Sequence, residues 1–358
     1  MTKQYNLLKT MNDGIHYNGA LLASHTDCGI FMSTGGRGVG KTTWWIVKAF
    51  ETFLNTGLKL FYFRRYDTEL TKTDKLMKMP AKLCPEFEFR QKGMDLQVKR
   101  SSKSKWETWA YVTALSKMKS GRGGDWCDEI SMMLFDEFQI DNSNNMVNAY
   151  LPNEYSLLVD LYQSICRTRP IPLVMLSNAY TDLNPYYTTW KVVYKDNEIT
   201  TTTIKAADYS LKIAVERVPE SVSLAVNEGS QSFILSMQDE IGQTQFFNKN
   251  ILDKENWIKE RDKKSRWLLS FYDKNDIYSI YINDDYEGFC EKNGNPQGKR
   301  CYVSTPYNRP DNTKYVKNYK GEYALELLKV IHDNNNLFYT NQECKYSCSE
   351  FMRRIKII

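Results

Sequence analysis

Residues 35–42 read GGRGVGKT, the G-x-x-x-x-G-K-[ST] pattern of a phosphate-binding loop. Gly35 and Gly40 are expected to take positive φ angles, so that successive backbone N–H groups point at an anionic phosphate. Lys41 supplies a mobile positive charge for the β- and γ-phosphates, and the Thr42 hydroxyl suits Mg²⁺. The residues predicted to bind a nucleoside triphosphate are Gly35, Gly36, Arg37, Gly38, Val39, Gly40, Lys41, Thr42 and Thr43.

The sequence on both sides of the loop fits this interpretation. Residues 28–34 form a short apolar run typical of a buried strand, and residues 42–54 carry apolar side chains at helical spacing. A helix that begins here points its N-terminus at the phosphate. This context favours a phosphate site over the alternative, a glycine-rich turn with an unrelated lysine.

A second apolar run ends in two acids. In residues 130–138, ISMMLFDEF, five of the six residues before Asp136 are apolar, as in a central parallel strand buried on both faces. Asp136 is predicted to hold Mg²⁺ through water, and Glu137 to orient and deprotonate an attacking water. The alternative is an exposed acidic turn after a core strand, and the accompanying phosphate loop favours the hydrolytic site.

Residues 172–180, PLVMLSNAY, predict another strand, which ends in Ser177 and Asn178. A polar residue at the tip of a strand beside the phosphate loop is well placed to sense the γ-phosphate. Asn178 is the first candidate and Ser177 the weaker one. The alternative is an asparagine that only caps the following loop.

The 95 positions between Lys41 and Asp136 leave room for an inserted strand, which residues 58–66 and 108–115 would supply. An inserted strand together with a glutamate beside the aspartate is typical of additional-strand catalytic-glutamate ATPases. That class includes ring motors and helicases, whereas kinases and GTPase switches usually lack this arrangement.

Residues 153–169 have apolar side chains at helical spacing and predict an amphipathic helix that Pro170 and Pro172 stop. Arg167 and Arg169 stand at its last turn. One explanation is that they offset the negative end of the helix dipole. The prediction here is that Arg167, ahead of Arg169, reaches a neighbouring subunit's nucleotide as an arginine finger, a contact worth roughly 10³ to 10⁵ in rate.

Composition sets broad limits. The chain has 358 residues, of which 42% are hydrophobic, enough for more than one core. The net charge of +5 permits a polyanionic partner without arguing for one. No apolar run approaches 18 residues, so a soluble intracellular protein without a membrane segment is expected. Eight cysteines without a C-x-x-C pair indicate reduced thiols rather than a zinc site.

Several motifs occur in an order that is specific. They are GGRGVGKT at 35–42, FYFRRYDTELTK at 61–72, LFDEF at 134–138, YLPNEYSLLVDL at 150–161 and LSNAYTDLNPYY at 176–187. Together they resemble the genome-packaging ATPases of small tailed podophages, which drive double-stranded DNA into a protein prohead. The resemblance covers nearly the whole chain and is weaker but visible at 261–273 and 318–331.

The resemblance implies an α/β architecture in three parts. These are a P-loop ATPase core with a mostly parallel sheet at 1–205, a linker subdomain at 206–252, and a smaller α+β, RNase H-like domain at 253–358. The last part is expected to be inactive as a nuclease, and Asp284, Asp285 and Glu287 fall in a predicted hairpin turn rather than in a clear acidic triad. The substrate and metal would be ATP and Mg²⁺.

The partners that the resemblance implies are double-stranded DNA, the portal or connector of the prohead, and other copies of the chain in a homopentameric ring. A structural RNA is a partner in at least one lineage of that family. The ring would work in the host cytoplasm, docked transiently on the prohead, and without a membrane. A different ring ATPase, such as a helicase or a conjugation-type DNA pump, and a nucleotide-gated scaffold at the portal are the alternatives.

Three further positions follow from the resemblance or from charge. Arg167 matches the family's trans-acting arginine, Lys119 matches a lysine at the contact between subunits, and Lys72 matches a lysine facing the DNA channel. Arg122 and the basic stretch 99–105 are additional candidates for DNA contact. Such contact would be electrostatic and independent of base sequence.

Overall fold

The computed structural model describes residues 4–70, 73–120, 125–140, 150–167, 169–238, 257–273, 276–293, 300–306 and 310–358. Packing of the backbone divides the chain into two units. The first comprises Met1–Thr181 and Tyr194–Leu252, and the second comprises Asp182–Val193 and Asp253–Ile358. The division into three domains at 205/206 and 252/253 stays a prediction.

The first unit contains a nine-stranded sheet in the order β3-β4-β5-β2-β6-β7-β1-β9-β8. Neighbours from β5 to β9 are parallel, and β3, β4 and β8 join as antiparallel edge strands. The strands are β1 Ile30–Gly35, β2 Lys59–Arg64, β3 Glu88–Lys92, β4 Asp95–Lys99, β5 Glu107–Ala114, β6 Ile130–Asp136, β7 Leu173–Asn178, β8 Thr200–Ala206 and β9 Tyr209–Arg217. The mostly parallel α/β core predicted from the sequence is confirmed.

Strand order differs from the order in which the strands occur along the chain. Residues 58–66 and 108–115, which were predicted to supply the inserted strand, form β2 and β5. Both lie beyond β6, whereas β7 stands between β1 and β6. That assignment was wrong because helical crossovers, rather than distance along the chain, decide which parallel strands become neighbours.

Helices cover this sheet, and α3 carries the largest apolar face. Trp45, Val47 and Phe50 of α3 are buried, and Gly57 ends that helix in the left-handed conformation. The α-helices of the first unit are α1 Leu7–Met11, α2 Ala20–Ala23, α3 Lys41–Thr56, α4 Asp74–Leu83, α5 Glu154–Cys166, α7 Glu220–Asn227 and α8 Gln231–Ser236. Short 3₁₀ helices occupy Asp67–Leu70, Leu115–Ser120 and Asp125–Glu129. Over the described residues, no helix is both long and apolar enough to cross a membrane.

The hairpin of β8 and β9 bears on the expected domain boundary. Its second strand pairs in parallel with β1, with Ile30 opposite Ile213. The boundary expected between residues 205 and 206 falls at the end of β8, so residues 209–217 belong to the same sheet as the phosphate loop.

The second unit contains a six-stranded sheet in the order β14-β13-β10-β11-β12-β15. Its strands are β10 Arg266–Asp273, β11 Asp276–Ile282, β12 Gly288–Lys292, β13 Cys301–Val303, β14 Lys314–Tyr315 and β15 Leu337–Tyr339. Its helices are α6 Pro185–Trp190, α9 Tyr323–Asp333 and α10 Gln342–Arg354. An antiparallel run β10-β11-β12, with β13 and β14 added in parallel beside β10, is the strand order of an RNase H-like fold.

Candidate nucleotide site

The loop between β1 and α3 has the conformation that phosphate binding needs at two glycines. Gly38 has φ 76° and Gly40 has φ 101°. Gly35 does not take a positive φ, so that part of the prediction was wrong. A Cβ added to Gly35 would lie 2.7 Å from the Cβ of Val218. Glycine is therefore required at position 35 for close packing rather than for its backbone angle.

Lys41 is the first residue of α3 and is 7% exposed. Its Nζ donates to the carbonyl oxygens of Gly35 at 3.0 Å and Gly36 at 2.9 Å. Burial lowers the pKa of Lys41 to about 8, against the opposing effect of Asp136, Glu216 and Glu137. A buried ammonium held beneath the loop is the cation expected of a phosphate site.

Thr42 and Asp136 come together as predicted. The Thr42 hydroxyl donates to Asp136 Oδ1 at 2.9 Å, and Asp136, the last residue of β6, is 3% exposed. Asp136 Oδ2 accepts hydrogen bonds from the Tyr62 hydroxyl and from Arg64, both at 2.8 Å. A hydroxyl and a carboxylate side by side are the oxygen ligands that Mg²⁺ prefers, so this pair fits the metal of a nucleotide complex.

Glu137 follows β6 directly and has a positive φ of 59°. Its side chain is 49% exposed, and its Oε1 lies 3.3 Å from Arg64 Nη2. Partial burial raises the pKa of Glu137, and Asp136 and Glu69 add to that rise, while Arg64 and Arg37 oppose it. The carboxylate is therefore a stronger proton acceptor than an ordinary surface glutamate.

Asn178 ends β7 opposite Gly35 in the register of the sheet. Its Nδ2 donates to the Tyr180 hydroxyl at 3.3 Å, and Arg37 Nη2 donates to the same hydroxyl at 2.9 Å. The Ser177 side chain is buried and accepts a main-chain hydrogen bond instead. The structure thus brings Asn178 next to the phosphate loop, and its role as a sensor stays a prediction.

The two arginines near the end of α5 have different surroundings. The helix ends at Cys166, and Arg167 follows at φ 47° with an exposed side chain. Its backbone N–H donates to the carbonyl oxygen of Gln163 at 3.0 Å, and its guanidinium has no hydrogen bond or ion pair to any described residue. Arg169 donates to the carbonyl oxygens of Cys127 at 2.6 Å and Ile130 at 3.5 Å. Arg169 is therefore bound within its own chain, whereas the charge of Arg167 faces solvent.

Arg167 also stands far from the nucleotide site of its own chain. Helix α5 begins next to Glu137, because Arg65 binds both Glu154 and the carbonyl oxygen of Glu137. Thirteen helical residues span about 20 Å, so Arg167 lies about that distance along α5 from the end that is next to Glu137.

The remaining basic candidates are less informative. Lys119 lies in the 3₁₀ helix Leu115–Ser120. Lys72 and Arg122 lie outside the described residues. In the stretch 99–105, the first two cations are paired with acids, Lys99 with Glu88 at 3.3 Å and Arg100 with Glu107 at 3.2 Å. Contact of these residues with DNA or with a second subunit stays a prediction.

Thr43 points toward a cavity on the β2 side of the site. The cavity has a volume of about 330 Å³ and lies between α3, the end of β2 and α4. Thr42, Asp136 and Arg64 are among the residues that line it. It therefore continues from the predicted metal position rather than forming a separate site.

Reasoning from the sequence missed four residues of the site: Tyr62, Arg64, Arg65 and Glu154. The first three occur in FYFRRY, where an apolar strand ends in charged residues as β6 does, so that signal was present. No local signal marks Glu154, which looks like an ordinary acid in the first turn of a helix.

The acids of the second unit that bear on a nuclease site lie in two places. Asp284, Asp285 and Glu287 lie in the turn between β11 and β12, as predicted. Another acidic cluster surrounds Lys191, whose Nζ is 3.8 Å from Asp273, 3.6 Å from Asp276 and 3.3 Å from Glu343. Among the residues described, no group of three His, Cys, Asp or Glu side chains is arranged to hold a metal ion.

Known proteins resemble this chain over nearly its whole length. The DNA packaging protein of Bacillus phage phi29 is 27% identical over 353 residues, which is 97% of this chain and 100% of the relative. The DNA packaging protein of Bacillus phage B103 is 25% identical over 326 residues, covering 90% of this chain and 96% of the relative.

Two solved structures share the fold. A chain of the bacteriophage phi29 genome packaging motor assembly superposes with a TM-score of 0.66 at 22% identity, covering 95% of this chain and 99% of that one. A chain of the phi28 gp11 DNA packaging motor gives 0.65 at 18% identity, covering 96% and 99%. The family profile described as podovirus DNA encapsidation protein (Gp16) matches residues 11–357. The chain therefore belongs to the podovirus DNA encapsidation family, as its motifs predicted, and its function is the packaging of viral DNA.

Proposed function

We propose that this protein hydrolyses ATP and uses the energy to translocate double-stranded DNA into a prohead as one subunit of a homopentameric ring. The observation that carries the proposal is the hydrogen bond between Thr42 and Asp136, beside buried Lys41 and directly before Glu137. In this proposal Lys41 binds the phosphates, Thr42 and Asp136 bind the metal, and Glu137 is the general base, and the proximity of these residues supports it.

Each group has a distinct part in hydrolysis. The glycine loop and Lys41 bind the phosphates, and Thr42 and Asp136 would hold Mg²⁺. The chemistry that Mg²⁺ supplies when bound is neutralisation of charge on the phosphate oxygens. Glu137 accepts a proton from the attacking water, and its raised pKa strengthens it as a base. Asn178 senses the γ-phosphate through its position beside Gly35.

The proposal that the protein works as a ring rests on the position of Arg167. Its guanidinium is exposed, stands about 20 Å along α5 from the Glu137 end, and is not used by the described part of its own chain. We therefore assign it to the nucleotide site of a neighbouring copy. The partners of the ring are double-stranded DNA and the portal of the prohead, in keeping with the motor assemblies in which the structural relatives occur.

Glu137→Gln tests the hydrolytic site. The substitution keeps the size and the backbone of residue 137 but removes the proton acceptor. We expect the affinity for ATP to remain within about twofold and the steady-state rate to fall at least about a hundredfold. Glu88→Gln, a loss of one exposed carboxylate on β3, is the matched control and should leave both quantities unchanged.

A Glu137→Gln protein that hydrolyses ATP near the wild-type rate would remove Glu137 from this role. A protein that binds ATP and never turns it over in the wild-type form would instead support the scaffold alternative.

A further inference from the structure

Arg65, the residue after β2, is 2% exposed and binds two parts of the molecule at once. Its Nη2 donates to the carbonyl oxygen of Phe138 at 2.7 Å, and its Nη1 donates to that of Glu137 at 3.2 Å. Its Nε and Nη2 donate to the two carboxylate oxygens of Glu154 at 2.7 and 3.0 Å. One guanidinium therefore ties the backbone after β6 to the first residue of α5.

The Arg65–Glu154 pair is costly to bury. Both side chains are almost completely inaccessible to solvent, and two ions taken out of water rarely repay their desolvation by mutual attraction. Well-packed apolar residues of similar size are often at least as stable at such positions. Stability alone therefore does not account for a buried ion pair next to the site.

The backbone that Arg65 binds has an uncommon conformation. Glu137 has φ 59°, a left-handed angle that few residues other than glycine adopt and that the surroundings must hold in place. The two carbonyl oxygens bound by Arg65 belong to Glu137 and to the residue after it. These hydrogen bonds fix the direction of the chain as it leaves Glu137, and with it the position of the Glu137 side chain.

Aromatic rings hold the guanidinium from the sides. Its central carbon lies 4.9 Å from the centre of the Tyr150 ring and 5.7 Å from that of Phe135. The guanidinium thus lies over two rings and also donates the four hydrogen bonds described above. A lysine has neither the flat face nor the fork of donors, so it would keep the charge and lose this arrangement.

We propose that Arg65 and Glu154 are positioning residues for Glu137, which hold its carboxylate where it activates water. The inference rests on the proposed function, in which Glu137 is the base. Arg65 binds the backbone of Glu137 and acts through it. The neighbouring Arg64, in contrast, binds the carboxylates of Asp136 and Glu137 directly.

The main test replaces the pair by apolar residues of similar size, Arg65→Met together with Glu154→Leu. Because no unpaired charge remains buried, we expect the thermal unfolding temperature to stay close to that of the wild-type protein. We expect kcat to fall by about a hundredfold, the effect of misplacing a catalytic group by about 1 Å. The affinity for a non-hydrolysable ATP analogue should stay within about twofold.

Two single variants keep the test decisive if the double variant folds poorly. Arg65→Lys retains the positive charge but loses the planar set of guanidinium donors. It should show the same loss of kcat with unchanged nucleotide affinity. Tyr150→Phe keeps the ring beside Arg65 and is the matched control, with wild-type kcat. Wild-type kcat in folded Arg65→Lys and in the double variant would overturn the proposal.

Combination with Glu137→Gln shows through which residue the effect passes. If Arg65 acts through Glu137, adding Arg65→Lys to Glu137→Gln lowers the residual single-turnover rate no further. Multiplicative losses would show that Arg65 acts elsewhere. Wild-type turnover by Glu137→Gln would contradict the proposed function itself, whereas an inactive Glu137→Gln beside fully active Arg65 variants would contradict only the positioning role.

Discussion

Burial and the nearby carboxylates have opposite effects on the charge of Lys41. It is surrounded by protein, yet it must carry a positive charge to attract phosphate. Its donors are satisfied by the carbonyl oxygens of Gly35 and Gly36, which are dipoles rather than ions. Asp136, Glu216 and Glu137 support the charge from further away. The charged form is therefore less stable than in water and responds to pH in an accessible range.

The pKa of about 8 predicts that nucleotide binding weakens as the pH rises through 8. Below pH 8 Lys41 is protonated and attracts the phosphates, and above it the free protein loses that charge. We expect the Kd for a non-hydrolysable ATP analogue to rise by up to about tenfold per pH unit between pH 8 and 9.5. Fluorescence titration over pH 7 to 9.5 measures it.

Lys41→Arg is the control for that titration, because a guanidinium remains charged throughout this range. Its Kd should be weaker at pH 7 but independent of pH. Wild-type affinity that does not change between pH 7 and 9.5 would mean that Lys41 is not the titrating cation.

At the scale of single residues, the sequence predicted those site residues whose roles depend on neighbours close in the chain. Lys41, Thr42, Asp136 and Glu137 were predicted because each follows a strand or a loop whose pattern is visible within ten residues. The Arg65–Glu154 pair was missed because its members lie 89 positions apart and meet only when β2 and α5 have taken their places. Gly35 was misjudged because its constraint comes from Val218, which is more than twice as far away along the chain.

Helix α5 has a different environment at each end. Its first residue, Glu154, is bound by Arg65 beside the Glu137 backbone, and its C-terminal neighbour Arg167 faces solvent. The sequence predicted the helix but extended it to residue 169. The chain turns at Arg167 instead, where φ is 47° and ψ is −106°. This turn separates the available Arg167 from Arg169, which is tied to the strand before it.

Arg167→Ala and Arg169→Ala should therefore behave differently. Arg167→Ala is expected to fold normally and to lose at least about 10³-fold in ATPase rate, because the finger of each interface is missing. Mixing it with Glu137→Gln should restore activity, since an intact Glu137 then meets an intact Arg167. Arg169→Ala should lower stability by about 1 to 2 kcal/mol, measured by denaturant unfolding, and should not complement in this way.

Mixtures of Arg167→Ala and Glu137→Gln that remain inactive at all ratios would argue against a finger in trans. A folded Arg167→Ala protein with wild-type activity would exclude the finger altogether.

At the scale of elements, the sequence predicted which segments are strands but not their order in the sheet. The apolar runs identified β1, β2, β5, β6 and β7 as strands. Their neighbours in the sheet depend on how each crossover helix packs, which the runs do not contain. Asn178 lies beside Gly35 because β7 stands between β1 and β6. Asn178 was chosen as the candidate sensor because it ends a predicted strand, and the predicted strand order did not contribute to that choice.

At the scale of the molecule, the chain leaves the first unit shortly after the nucleotide site. Asp182–Val193 belongs to the second unit, and β8 and β9 then return to the first sheet. The amide N–H groups of Tyr180 and Thr181 donate to Gln139 at 2.8 and 3.4 Å, two residues after Glu137. A linear division into consecutive domains could not anticipate this path, because no composition change marks residues 182–193.

A ring in which each site borrows Arg167 from a neighbour makes activity depend on assembly. We expect the ATPase rate per subunit to rise with protein concentration and to rise further with linear double-stranded DNA, which gathers subunits along one polyanion. Rates measured from nanomolar to micromolar protein, with and without duplex, provide the test. Arg167→Ala should show neither increase, because assembly no longer completes its sites.

The outcomes also separate the alternatives. Strand separation of a forked duplex during hydrolysis would favour a helicase, since a packaging motor has to move intact duplex. A rate per subunit that is constant across concentration and indifferent to DNA would mean that each chain carries a complete site. Arg167, exposed and about 20 Å along α5 from the Glu137 end, would then have no part in hydrolysis, and the ring would lose its mechanistic basis.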